Sequence, residues 1–123
     1  MGKPILCLDF DGVLHSYTSG WKGADVIPDP PIEGAAAFMK KALNRFRVCI
    51  FLSRSNQPGG LKAMQDWMIK WMPSETVPHW AHGLEWPLEK PAAFVTIDDR
   101  ALTFDGTWPS METLQNFKPW NKK

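Results

Sequence analysis

A short apolar run that ends in two closely spaced carboxylates constrains the fold of this chain more than any other feature. The residues from Ile5 to Leu8 are apolar, and Asp9 and Asp11 follow directly, with Gly12 after them. Such a run predicts a short buried strand. Two acids at the end of a buried strand are costly to ionise unless a cation lies beside them, and ligands of open α/β sheets bind at the carboxyl ends of strands. The sequence therefore predicts a site at this strand end.

Three apolar runs predict the strands of a parallel sheet: Ile5 to Leu8, Val48 to Leu52, and Ala93 to Ile97. Their nearly continuous apolar character is typical of strands that a parallel sheet buries on both faces. Val77 to Trp80 is a weaker candidate strand, because Pro78 cannot donate a hydrogen bond to a neighbouring strand.

Apolar residues at helical spacing predict helices between and after these strands. They cover Ile32 to Phe46, Leu61 to Met72, and a short stretch that follows Ser110 and ends before Pro119. Strands that alternate with helices predict an α/β fold. We expect a Rossmann-like, doubly wound parallel sheet in three α/β/α layers, formed by a single domain over residues 1–123.

The segment between the first strand and the first helix, about residues 12–31, has no helical period. It contains His15, Tyr17 and Trp21 among several glycines and prolines. Loops this long in a small domain are usually functional. Because this one starts at the acidic strand end, we expect a small β-hairpin flap beside the site; a mere connector is the alternative. For His15 we favour a hydrogen-bonded loop residue over a substrate contact, and for Trp21 we favour packing over a place at the mouth of the site.

The net charge and the cysteines limit the classes of binding partner and the cellular compartment that we expect for this chain. The formal net charge of +1 over 123 residues gives no general electrostatic reason to bind nucleic acid or a membrane. No apolar run approaches the roughly 18 residues that a membrane span needs, and the first residues do not form a signal peptide. Cys7 and Cys49 fall in predicted buried strands and are expected to be reduced core residues. These features favour a cytoplasmic protein.

Polar residues with related chemistry lie at the predicted strand ends: Asp9 and Asp11, Ser53 and Arg54, Lys90, and Asp98 and Asp99. Because parallel strands place their carboxyl ends at one edge of the sheet, these side chains can converge. Clustered carboxylates suit a hard cation, and Mg²⁺ is the ion we expect. A serine hydroxyl and a lysine ammonium group suit phosphate oxygens. The set favours phosphoryl transfer, whose high barrier requires several cationic groups and an in-line nucleophile.

At these positions the chain resembles the haloacid dehalogenase-like (HAD) superfamily of phosphohydrolases. The first motif, Asp-Phe-Asp-Gly-Val-Leu from Asp9 to Leu14, is highly specific, and the Ile-Asp-Asp motif that ends at Asp99 is moderately specific. Ser53 and Lys90 complete the four motifs in the superfamily's order. The resemblance spans residues 9–99 and implies a Mg²⁺-dependent phosphatase.

By this resemblance Asp9 is the nucleophile that forms an aspartyl-phosphate. Asp11 protonates the leaving alcohol and then activates the hydrolytic water. Ser53 binds the phosphate, and Lys90 neutralises charge on the phosphate and on Asp9. Arg54, next to Ser53, is expected to bind phosphate rather than to act in catalysis.

The resemblance also implies a Mg²⁺ site made by Asp9, the backbone carbonyl of Asp11, and Asp98. Asp99 either is the direct ligand in place of Asp98 or lies behind it, and the sequence leaves both assignments open.

The gaps between the motifs leave no room for the cap domain that most members of this superfamily carry. The resemblance then implies an open site for a bulky phosphorylated substrate, such as a nucleic-acid end or a phosphoprotein, or for a phosphorylated metabolite covered by a second subunit of an oligomer. The near-neutral charge argues mildly against nucleic acid. Two alternatives stay open: a phosphotransferase, and a non-catalytic phosphate-binding or receiver-like module, although receiver domains carry their acidic residues in a different order.

Overall fold

The structure, a computed structural model, describes residues 2–72 and 84–120 and is built on four parallel strands. The strands are β1 (Ile5–Leu8), β2 (Arg47–Ile50), β3 (Leu84–Glu85) and β4 (Val95–Ile97). They lie in the order β3-β2-β1-β4, so the chain's first strand is central. The chain is therefore a small α/β fold.

The register of the sheet brings the carboxyl ends of three strands together. Leu8 of β1 is paired with Ile50 of β2 and with Ile97 of β4. The residues that follow these three positions emerge at one edge of the sheet. Asp9 and Asp98 are therefore neighbours although they are 89 positions apart in sequence.

In the described residues three helices accompany the sheet: α1 (Ala35–Arg45), α2 (Gly60–Trp71) and the short α3 (Met111–Gln115). A single 3₁₀ turn, Ser53–Asn56, links β2 to α2. The apolar stripes of α1 and α2 join the inner strands in one core. Its most deeply buried members are Leu8, Phe10, Met39, Val48, Ile50, Met64, Met68 and Met72.

The predicted first strand and the predicted helices are confirmed, with α1 beginning at Ala35 rather than at Ile32. The candidate strand from Val77 to Trp80 lies outside the described residues. No helix of residues 2–72 and 84–120 is long and apolar enough to cross a membrane.

The prediction that the third apolar run is a fully buried strand is wrong. Only Val95–Ile97 forms strand β4, and Val95 and Ile97 are 44% and 39% exposed. The reason is its place in the sheet: within residues 2–72 and 84–120, β4 is an edge strand that pairs with β1 alone. An apolar run therefore does not distinguish a central strand from an edge strand.

The predicted β-hairpin flap is also wrong, because the loop at residues 12–31 forms only isolated bridges, from His15 to Asp11 and to Pro31. The prolines at 28, 30 and 31 remove the donors that a hairpin ladder would need. Side chains order the loop instead. The hydroxyl and the backbone N–H of Ser19 donate to the Asp29 carboxylate at 2.6 and 2.8 Å, and Trp67 Nε1 of α2 donates to the Asp29 carbonyl at 2.8 Å.

Candidate active site

Three carboxylates meet at the carboxyl edge of the sheet. Asp9 follows β1, Asp98 and Asp99 follow β4, and one oxygen from each lies within 4.8 Å of the other two. All three line a cavity of about 590 Å³. Both Asp98 and Asp99 reach the cluster, so each can serve as a cation ligand with Asp9. The side-chain carboxylate of Asp11 is not part of this set.

The cluster strongly favours a proton or a cation over three free charges. Burial, a hydrogen bond with Asp99 and the negative charges of Asp98 and Asp99 raise the pKa of Asp9 from 3.8 to about 8. A hydrogen bond that the Phe10 N–H donates to Asp9 at 2.7 Å opposes part of this rise. Among the described residues the cluster offers three carboxylate donors and no nitrogen or sulfur ligand, a donor set that suits a hard divalent cation such as Mg²⁺.

Gly12 allows the backbone that follows β1 to approach Asp99, which follows β4. Its φ of 81° lies in the left-handed region, and a β-carbon at this position would lie 2.3 Å from Asp99 Oδ2. Its carbonyl accepts a hydrogen bond of 2.9 Å from Trp120 Nε1. The glycine of the first motif is therefore required by close packing against the second acidic motif as well as by its backbone conformation.

Both oxygens of the Asp11 carboxylate are occupied by donors. His15 Nδ1 lies 2.9 Å from Oδ1, and Arg54 Nε donates to Oδ2 at 2.8 Å. Burial acts to raise the pKa of Asp11, but the hydrogen bonds from His15 and Arg54 and the Arg54 charge lower it below its ordinary value. The Asp29 N–H donates to His15 Nε2 at 3.2 Å, so Nδ1 is the nitrogen that donates to Asp11. His15 is thus a buried, hydrogen-bonded loop residue, as the sequence favoured.

Arg54, which the sequence assigned to phosphate binding, is fully buried and is not among the residues that line the cavity. Besides Asp11, its guanidinium binds the carbonyl oxygens of Gly23 and Ala24 through Nη1, both at 2.8 Å. The Trp21 ring centroid lies 4.5 Å from its Cζ. Arg54 therefore ties the loop at residues 12–31 to Asp11.

Ser53 and Lys90 line the same cavity as the carboxylates. Ser53 is the exposed first residue of the 3₁₀ turn, where the chain leaves β2. Lys90 lies on the segment between β3 and β4, which Asn56 holds by donating from Nδ2 to the Leu88 carbonyl at 2.7 Å. The structure thus brings six of the seven predicted strand-end residues to one cavity, all except Arg54: Asp9, Asp11, Ser53, Lys90, Asp98 and Asp99.

Several cavity residues were not predicted from the sequence. Cys7 and Thr96 line it because each lies two positions before an acid, and alternate residues of a strand share a face. That alternation is a signal that could have found them. Tyr17 and Trp21 also line it; for Trp21 this was the less favoured alternative. Nothing in the sequence pattern marked Asp29 as the residue that orders the loop. Cys7 and Cys49 are buried and unbridged, as predicted.

No protein-family model, curated protein or solved structure matches this chain.

Proposed function

We propose that this chain is a Mg²⁺-dependent phosphomonoester hydrolase that works through an aspartyl-phosphate, on a capless, Rossmann-like, three-layer domain of the HAD type. One observation carries the proposal. Three carboxylates whose oxygens lie within 4.8 Å of one another share a cavity with a serine hydroxyl and a lysine ammonium group. A phosphate ester needs this combination of a cation site, a nucleophile and positive partners for its oxygens.

In this proposal Asp9, Asp98 and Asp99 hold Mg²⁺, together with the Asp11 carbonyl. When bound, the ion supplies positive charge to the phosphate oxygens and removes the need for a proton on Asp9. Lys90 adds a second positive charge, and the Ser53 hydroxyl donates a hydrogen bond to the phosphate.

Asp9 attacks phosphorus in the first step. A bond forms between its carboxylate oxygen and phosphorus, the bond from phosphorus to the ester oxygen breaks, and the leaving oxygen takes a proton to become an alcohol. In the second step water attacks the aspartyl-phosphate, loses a proton to a base, and restores the Asp9 carboxylate with release of inorganic phosphate.

Asp11 lies two residues from the nucleophile and is the assigned acid and base. The donors on its two oxygens, His15 and Arg54, favour the ionised form, which is the form that takes the proton from water in the second step. For the first step Asp11 must carry a proton, so one of these hydrogen bonds has to be exchanged for an interaction with the leaving oxygen.

The test is Mg²⁺-dependent release of inorganic phosphate from an aryl phosphate, sugar phosphates, nucleotides and phosphopeptides. We expect EDTA to abolish turnover and Asp9→Asn to lower kcat by at least about 10³-fold. Asp66→Asn is the matched control, because Asp66 lies on α2 in an exposed pair with Lys62 and should leave turnover unchanged.

A radiolabelled phosphate trapped on Asp9 by acid quench would identify the covalent intermediate. Transfer of the label to an added alcohol in preference to water would show a phosphotransferase instead. Turnover that survives EDTA or Asp9→Asn would refute the proposed mechanism.

A further inference from the structure

Two aromatic side chains of the loop at residues 12–31 line the cavity beside the carboxylates. Tyr17 and Trp21 both contribute to its wall, and Trp21 is 47% exposed. The proposed hydrolysis assigns no role to an indole ring, and an exposed tryptophan at a cavity wall is a contact surface for another part of a ligand.

Trp21 is held in place by a buried group. The Cζ atom of Arg54 lies 4.5 Å from the centroid of the ring, and Arg54 is itself fully buried and bound to the carbonyls of Gly23 and Ala24. The guanidinium occupies one face of the indole, and nearly half of the side chain is left open. A ring that is supported on one face and accessible elsewhere is suited to stacking against a flat ligand group.

Tyr17 is held at the cavity at a conformational cost. Its φ of 61° places it in the left-handed region, which an aromatic residue rarely adopts. Its ring packs edge to face against the buried His15, with 5.9 Å between centroids. Such strain persists where the surrounding structure enforces it, and it is typical of ligand-binding segments.

The link between Trp21 and Asp11 limits the shape of the ligand. The Arg54 guanidinium joins the two side chains: its Nε donates to Asp11 Oδ2 at 2.8 Å, and its Cζ is 4.5 Å from the centre of the Trp21 ring. The phosphate position at Asp9, two residues before Asp11, is therefore on a different side chain from the one that Trp21 adjoins. A ligand with its phosphate at Asp9 and a flat ring on Trp21 therefore needs a spacer between the two. An aryl phosphate has none, whereas a nucleotide has its ribose. The cavity of about 590 Å³ is of a size that holds such a molecule.

We propose that the substrate is a phosphorylated nucleoside, either a free mononucleotide or the terminal nucleotide of a strand, whose base stacks on Trp21. This inference rests on the proposed function, because it assumes that the phosphate binds at Asp9.

The test compares kcat/KM for AMP and for ribose 5-phosphate, which differ only in the base. We expect AMP to be favoured by about 5- to 150-fold, the range that base–aromatic stacking provides. Trp21→Ala should bring the ratio of the two constants close to one, and Trp21→Phe should retain part of it. Trp108→Ala is the control: Trp108 is 84% exposed and does not line the cavity, so both constants should stay unchanged.

A structural role for Trp21 would lower both constants equally in Trp21→Ala and leave their ratio intact, which would overturn the proposal. A phosphotyrosine peptide preferred over AMP would also overturn it. A short oligonucleotide with a 5′-phosphate separates the two sources of the ligand: preference for it over AMP identifies a strand end, and the reverse identifies the free nucleotide.

A binding measurement separates this proposal from the proposed function. In Asp9→Asn, quenching of tryptophan fluorescence should report tighter binding of AMP than of ribose 5-phosphate, and Trp21→Phe in the same background should reduce the quenching. If both compounds are hydrolysed equally well, the base site is refuted and the hydrolase stands. If neither is hydrolysed but AMP binds more tightly through Trp21, the hydrolase fails and the base site stands.

Discussion

At residue 12 the chain needs glycine for two independent reasons, its positive φ and its close approach to Asp99. A second glycine in the same loop, Gly20, shares only the first of them. Gly12 has a φ of 81° and would carry its β-carbon 2.3 Å from Asp99 Oδ2. Gly20 has a similar φ of 74°, but a β-carbon there would meet nothing within 4 Å. Alanine at either position carries the same backbone strain, roughly 1–2 kcal/mol, and only at residue 12 does it also displace an acid of the site.

We therefore expect Gly12→Ala to weaken Mg²⁺ binding and to lower phosphate release by about 10²-fold, the loss typical of a misplaced catalytic group. Gly20→Ala should lose about as much free energy of unfolding as backbone strain costs Gly12→Ala, and it should keep its activity. Calorimetric titration with Mg²⁺, the turnover assay and urea unfolding of both variants provide the comparison. Equal losses of Mg²⁺ affinity in the two variants would contradict the packing argument.

At the scale of elements, the loop at residues 12–31 is fixed to α2 by one indole hydrogen bond. Trp67 Nε1 donates to the Asp29 carbonyl, and Asp29 in turn accepts from Ser19 and donates to His15. Trp67→Phe keeps a buried ring and removes this donor. We expect it to lower the free energy of unfolding by about 1–3 kcal/mol, because a buried carbonyl loses its partner.

The same substitution should raise the hydrogen-exchange rate of the Ser16 and Ser19 amides, whose acceptors are Pro30 and Asp29. Trp71→Phe, one helical turn later and 37% exposed, is the control that should change neither the unfolding free energy nor these exchange rates. Unchanged protection of the loop in Trp67→Phe would mean that the backbone bridges alone order it.

Sequence periodicity correctly predicted the strands and helices whose structure depends on residues close in sequence. It did not predict features that depend on contacts between distant residues. β1 and the interior of both long helices follow from apolar spacing, because each buries a face that the pattern itself specifies. The exposure of β4 depends on its place at the sheet edge, which no residue of that strand encodes. The loop could not be predicted, because its order comes from side-chain bonds between residues as distant as Asp29 and Trp67.

At the scale of the whole molecule, Asp9 gives stability an unusual dependence on pH. Its pKa is about 8 in the folded chain and 3.8 without the fold, so the folded state binds the proton more tightly. Protonated Asp9 therefore stabilises the folded state relative to the unfolded one. This stabilisation is fully present below pH 3.8 and is lost as pH rises towards 8. Asp11 and Asp29 have lowered pKa values, so their ionised forms stabilise the folded state, and this contribution to the free energy of unfolding is lost as pH falls below 3.8.

In EDTA we therefore expect the free energy of unfolding to fall between pH 5 and pH 8.5, and Mg²⁺ to restore it most at the higher pH. Asp9→Asn should remove most of this slope, because the amide does not titrate. Urea unfolding of both proteins across this range measures the effect. Parallel curves for the two proteins would show that Asp9 does not titrate in this window.

The strand pattern predicted that Asp9, Asp98 and Asp99 lie close together, and they do, because the ends of parallel strands are fixed by topology. It did not predict that Asp11 is bound to Arg54 and His15, or that Arg54 is buried. Both facts depend on how the loop at residues 12–31 folds back, which the strand pattern does not determine.

The hydrogen bond from Trp120 to Gly12 joins residues 108 positions apart, and it sets an order of events during synthesis. β1, α1 and β2 all lie within residues 5–50, so their contacts can form while translation continues. Asp9 and Asp11 then exist for some time without Asp98, Asp99 or the indole that closes on Gly12. The last residue that lines the cavity is Ala101, and the bond to Gly12 waits for residue 120, so a nascent chain can form its core before the three acids of the cavity are together.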